Sequence, residues 1–126
     1  MVTSLIALTL AVIFNELRLK TQGLGSVPAS MAVKLINQGA TVLDIREQEK
    51  FAKGHIVDSR NIGESELRDS ELEKLKKKKA VLLVCDNGLK SAKCAADLRK
   101  GGFESVFSLK GGIMSWQQEN LPVTAD

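Results

Sequence analysis

The sequence predicts an α/β domain built on a largely parallel sheet, and three observations carry that prediction. From Gly23 onward, helical and strand-like segments alternate along the chain. Two short aliphatic runs, TVLDI (Thr41 to Ile45) and AVLLV (Ala80 to Val84), have the length and side chains of buried strands. Glycines at 39, 54 and 101–102 stop the helical stretches between the strands.

Taken in order, Gly23 to Ser26 reads as a short linker. Pro28 sits where a first helical turn begins, and Met31, Val33, Leu35 and Ile36 supply the apolar positions before Gly39. TVLDI is the next strand. Glu47 to Lys53 forms one or two helical turns ended by Gly54, and a brief strand follows around Ser59 to Ile62. Leu67, Leu72 and Leu75 mark a charged helix or helix pair that runs into Lys76 to Lys79. AVLLV is the most strand-like segment, and it delivers Cys85 at its carboxyl end. SAKCAADLRK (Ser91 to Lys100) reads as a helix, Val106 and Phe107 belong to a last strand, and Gly111 to Glu119 forms a closing helix before Pro122. No internal repeat or low-complexity tract interrupts this order.

A chain of 126 residues holds one compact domain and is too short for two. Its apolar fraction of 44% and charged fraction of 26% are those of a soluble globular protein. One Trp, four Phe and no Tyr leave little for a base-stacking surface, and a net charge of +3 is modest, so no nucleic-acid partner is expected. The two cysteines, Cys85 and Cys94, fall outside any CxxC spacing, and one His cannot complete a zinc site. Neither a metal nor a cofactor is expected, and the cysteines do not form the disulfide framework of a small secreted protein. A reducing compartment follows.

The first 22 residues differ from the rest. VTSLIALTLAVIF (Val2 to Phe14) carries no charge, and Glu16, Arg18 and Lys20 then follow closely. A helix of about 14 residues spans roughly 21 Å, whereas the hydrocarbon core needs roughly 30 Å. A secretory signal wants a basic start and an AxA-like cleavage site, and both are missing. A core helix wants polar interruptions at period 3.6, which are also missing. The favoured reading is therefore a membrane anchor through residues 2–14, short or lacking its leading end, with residues 23–126 as the domain. Arg18 and Lys20 after the apolar run place that domain in the cytoplasm, the alternative being a soluble cytoplasmic protein.

The segment AVLLVCDNGLKSAKCAADL (Ala80 to Leu98) carries the chemistry. A buried strand ends in Cys85, the loop Asp86 to Lys90 turns the chain, and a helix starts near Ser91. Open α/β sheets bind ligands beyond the carboxyl ends of their strands. Curled backbone and a helix start aim N–H groups at one point, the helix dipole adds roughly half a positive charge there, and Lys90 adds a full one. Each favours thiolate over thiol, the form that attacks and that holds a second sulfur atom. Gly88 permits the positive φ of a tight curl. Asp86 opposes the effect unless it points outward. Free Cys is also commonly buried and inert, but the glycine, the cation and the helix start weigh against that here.

Three motifs in this order resemble the rhodanese family over roughly Ser26 to Pro122. LDIREQEKFAKGHI (Leu43 to Ile56) is similar to the family's LDVREPxEFxxGHI, CDNGLKS (Cys85 to Ser91) to CxxGxRS, and LKGGIMSW (Leu109 to Trp116) to LxGGxxxW. The resemblance implies three layers, a central five-stranded parallel sheet with helices on both faces. It also implies a Cys cycling between thiolate and persulfide, taking sulfane sulfur from thiosulfate or another donor and passing it to a thiol or protein acceptor. Carried onto this chain, Cys85 is the nucleophile, the amides of Asp86, Asn87, Gly88, Leu89, Lys90 and Ser91 form the persulfide cradle, and Lys90 takes the loop-end arginine position. Lys90 departs from the family's Arg. A guanidinium holds an oxyanion with two parallel bonds, which an ammonium cannot do, so thiosulfate turnover is expected to be weak or another donor to serve. The apolar leader resembles the trailing part of the anchor that some family members carry.

Asp44 and Arg46 flank Ile45 and are expected to make an ion pair or to cap the strand end next to the site, a structural support in either case. His55 is a structural residue in the family, although as the single His it invites a general-base reading. Cys94 either resolves an oxidised Cys85 as a disulfide or faces the sheet as a helix residue. Lys76 to Lys79 reads as a solvated helix end, with anionic lipid as the alternative, and Trp116 as core. Two rival functions stand beside sulfur transfer. One is a binding module that keeps the fold with little turnover. The other is a Cys-dependent phosphatase, whose Arg falls at the position Ser91 occupies here.

Overall fold

β4 (Val81–Val84) is the axis of the molecule, and its four residues are all buried. Alternation along the strand divides its side chains between two hydrophobic cores. Val81 and Leu83 face one core, which Cys85 continues, and Leu82 and Val84 face the other. Burial on both faces explains why the segment reads as an unbroken aliphatic run. The structure is a computed structural model describing residues 25–63, 65–68 and 80–125.

Five strands, all parallel to their neighbours, make one sheet in the order β1-β5-β4-β2-β3. They are β1 (Ser26–Val27), β2 (Thr41–Asp44), β3 (Arg60–Asn61), β4 and β5 (Val106–Leu109). Helices α1 (Ala29–Asn37), α2 (Gln48–Lys53), α3 (Leu89–Lys100) and α4 (Gly112–Gln118) connect or follow them. On one face Cys94 and Ala95 of α3 pack with Leu43, Val81, Leu83 and Val106. On the other, Ala29 and Ala32 of α1 and Ile113 and Trp116 of α4 pack with Val42, Leu82, Val84 and Leu109. This is the three-layer α/β architecture expected from the sequence.

The departures are local. Gly23 to Ser26 reads as linker, yet Ser26 and Val27 form an edge strand paired with Ser108 and Leu109. A two-residue strand before a proline carries no periodic signal, and pairing with β5 creates it. Helix α3 starts at Leu89 rather than Ser91, because Gly88 takes a left-handed conformation (φ 90°) and its carbonyl accepts the Ala92 amide at 3.2 Å. The loop after Cys85 is therefore three residues long, and Lys90 lies on the first helical turn. Of the charged helix marked by leucines, Glu66–Arg68 is a single 3₁₀ turn whose Leu67 is buried. The rest, with Lys76 to Lys79, lies outside the described residues, as does the anchor expected over residues 2–14. Among the described residues no helix is long and apolar enough to cross a membrane.

Candidate active site

Cys85 follows directly on β4, and its side chain is 3% exposed at the amino end of α3. Its Sγ accepts the Gly88 amide at 3.0 Å and the Ser91 amide at 3.4 Å, and it lies 3.2 Å from the Ser91 hydroxyl. These amides belong to the cap and first turn of α3, which have no intrahelical acceptors to satisfy them. An anionic sulfur meets that need, and the helix dipole favours negative charge at the same point.

The loop residues divide by direction. Asp86 points outward and pairs with Lys50 on α2 at 3.2 Å, both side chains about half exposed. The charge that opposed an ionised sulfur is thus spent in solvent on a neighbouring cation. Asn87 accepts the Leu89 amide through Oδ1 at 3.1 Å and closes the turn. Leu89 and Lys90 are exposed, and among the described residues Lys90 makes no ion pair and no bond to the sulfur. The expected cation is present on the first turn of α3, exposed to solvent and not bonded to Sγ.

The glycine pair of the closing motif builds the floor beneath this loop. Gly111 and Gly112 have φ of 76° and 62°, which start α4 directly under Cys85 and Asp86. The Ile113 amide donates to the Cys85 carbonyl at 2.9 Å, and the Met114 amide to the Asp86 carbonyl at 3.3 Å. A Cβ on Gly112 would stand 2.4 Å from the Cys85 carbonyl oxygen, so the backbones approach this closely only without a side chain. The sequence shows the glycines but not their partner.

Asp44 and Arg46 form the ion pair expected of them. Arg46 donates to both Asp44 carboxylate oxygens, the shortest bond being 2.7 Å, with side chains 6% and 1% exposed. Arg46 also donates to the Gly54 carbonyl, and the Asn61 side-chain Nδ2 donates to the Asp44 and Arg46 carbonyls. The pair locks the end of β2 to α2 and β3, and none of its bonds reaches Cys85. His55 is buried, stacked on Phe51 at 3.8 Å, with Nδ1 donating to the Phe51 carbonyl at 2.7 Å. Its backbone pairs with Thr124, so His55 ties the chain's end to α2, in keeping with the structural role. Cys94 faces the sheet in the same core as Cys85, with no disulfide between them. Trp116 is buried, and its indole N–H donates to the Pro122 carbonyl. No cluster of metal-ligating side chains occurs among the described residues.

The rhodanese-like domain family model matches residues 28–119, and the chain belongs to that family. It is 36% identical to the uncharacterized protein YibN of Escherichia coli K12 over 121 residues, covering 94% of this chain and 85% of that protein. It is 38% identical to the thiosulfate sulfurtransferase GlpE of Pseudomonas fluorescens over 96 residues, covering 72% of this chain and 83% of GlpE. Among solved structures, a rhodanese-related protein from Thermoplasma volcanium superposes with a TM-score of 0.72 at 34% identity, over 80% of this chain and 98% of that one.

Proposed function

We propose that this protein is a sulfurtransferase that carries sulfane sulfur as a persulfide on Cys85. The carrying observation is the position of Sγ, within 3.4 Å of two amides at the start of α3 and of the Ser91 hydroxyl. The Cys85 thiolate attacks the outer sulfur of a donor such as thiosulfate. The new S–S bond forms as the donor's S–S bond breaks, and sulfite leaves with the bonding pair. The backbone amides of Asp86, Asn87, Gly88, Leu89, Lys90 and Ser91 cradle the terminal sulfur of the persulfide. A thiophilic acceptor, a thiol or a protein, then attacks that sulfur and restores the thiolate. Asp44 and Arg46 support the site from the end of β2. The relationship to GlpE, itself named a thiosulfate sulfurtransferase, favours this reading.

The exposed position of Lys90 favours a second reading, a binding module with slow turnover, because no fork is directed at a thiosulfate oxyanion. Intact mass separates the two. After thiosulfate exposure the wild-type protein gains one sulfur atom that maps to Cys85, and cyanide removes it as thiocyanate, whereas Cys85→Ser gains none. Equal thiocyanate yields from the two proteins would remove the sulfur-transfer reading.

A further inference from the structure

The hydroxyl of Ser108, on β5, lies 2.6 Å from that of Ser91, and both residues are fully buried. Ser108 stands beside Leu83 in the pairing of β4 with β5 and beside Ser26 in the pairing of β1 with β5. Its backbone is thus held on both sides, two rungs below Cys85. A buried hydroxyl is costly unless bonded, and here its bonds lead to the sulfur. Ser91 Oγ has three neighbours: Cys85 Sγ at 3.2 Å, the Gly88 carbonyl at 3.3 Å and Ser108 Oγ at 2.6 Å. Ser108 Oγ reaches the same Gly88 carbonyl at 3.5 Å.

Each hydroxyl has one proton to give and lone pairs to receive, which restricts the arrangements. A protonated Cys85 can donate to Ser91, which then donates either to Ser108 or to the Gly88 carbonyl. An ionised Cys85 only accepts. When Ser91 gives its proton to that sulfur, the short Ser91–Ser108 contact can only be a bond from Ser108 to Ser91. Without the Ser108 hydroxyl, the Gly88 carbonyl competes for the Ser91 proton at nearly the sulfur's distance, and the Ser91 oxygen loses the donor that polarises it.

We propose that Ser108 is a positioning residue that donates to Ser91 and thereby holds the Ser91 hydroxyl as a donor to the ionised sulfur of Cys85. This rests on Cys85 acting as a thiolate, and it adds a residue outside the Cys85–Ser91 loop to the site.

The test is the rate of iodoacetamide alkylation at neutral pH, mapped to Cys85 by peptide mass, in a double-mutant cycle of Ser108→Ala and Ser91→Ala. Ser108→Ala is expected to slow alkylation about threefold to tenfold, the scale of a weakened hydrogen bond to a charged group. Ser91→Ala slows it at least as much, and the double variant matches Ser91→Ala within about twofold, since Ser108 acts through Ser91. Ser108→Thr and Ser108→Val share one shape and differ by the hydroxyl, so their ratio isolates it from packing if Ser108→Ala is unstable. The threonine variant is expected to react at least about threefold faster than the valine variant, and only when Ser91 is present. Equal rates for Thr and Val, or a double variant slowed by the product of the single effects, overturn the proposal. Sulfur loading from thiosulfate is measured on the same wild-type sample. Failure to load removes the sulfur-transfer reading, while the alkylation cycle still decides the role of Ser108 by itself.

Discussion

Gly112→Ala perturbs the contact that places α4 against the loop carrying Cys85. The new Cβ would stand 2.4 Å from the Cys85 carbonyl oxygen and 2.5 Å from both the carbonyl carbon and oxygen of Asp86, all of them backbone atoms. Ordinary contact begins near 3.4 Å, so α4 and the loop must separate by about 1 Å. That movement lengthens the Ile113–Cys85 and Met114–Asp86 hydrogen bonds beyond useful range, at about 0.5–1.5 kcal/mol each. Holding alanine at φ 62° costs about 1–2 kcal/mol more. The expected loss is about 2–5 kcal/mol, or roughly 10–20 °C in Tm for a domain of this size. Thermal unfolding measures the loss, and iodoacetamide labelling of Cys85 reports whether the displaced loop still presents its sulfur. A Gly112→Ala protein that melts within about 2 °C of wild type and labels at the same rate would show that α4 does not depend on the close approach at Gly112.

Two further outcomes follow from the same geometry. Lys90→Arg puts a guanidinium at the rim, where it can grip a thiosulfate oxyanion with two bonds. The KM for thiosulfate is expected to fall severalfold in the thiocyanate assay, with Cys85 alkylation unchanged because position 90 does not touch the sulfur; an altered alkylation rate would contradict that placement. Asp44→Asn leaves the Arg46 guanidinium buried without its counter-charge, at an expected cost of about 3–5 kcal/mol in urea unfolding, and a loss below about 1 kcal/mol would show that the pair does not hold the end of β2.

Much of the fold is legible along the chain because its central strands are buried on both faces. Such strands must be aliphatic throughout, which makes AVLLV recognisable without knowledge of its neighbours. The edges are not legible. Ser26 and Val27, or Arg60 and Asn61, become strand only when β5 or β2 lies alongside, and no local composition requires it. The start of α3 falls two residues before the position the sequence suggests, for a related reason. Gly88 signals a tight curl, but whether the helix begins beyond Ser91 or at Leu89 depends on how the loop packs on Leu109 and Gly111, which approach a Gly88 Cβ position to 3.0 and 2.8 Å.

The candidate site divides in the same way. Cys85, Gly88 and Ser91 announce themselves because strand, turn and helix succeed one another within seven residues, and a helix start requires acceptors for its first amides. Ser108 and the Gly111–Gly112 pair lie 17 or more residues beyond Ser91, and nothing local distinguishes Ser108 from any serine in an apolar strand. Chemistry between chain neighbours follows from covalent order, so the residues alone suffice to propose a nucleophile and its cradle. The hydroxyl behind that cradle and the floor beneath it come from another strand and another helix. Packing alone brings them there, because hydrogen bonds and close backbone contacts act over a few ångströms of space and are indifferent to distance along the chain.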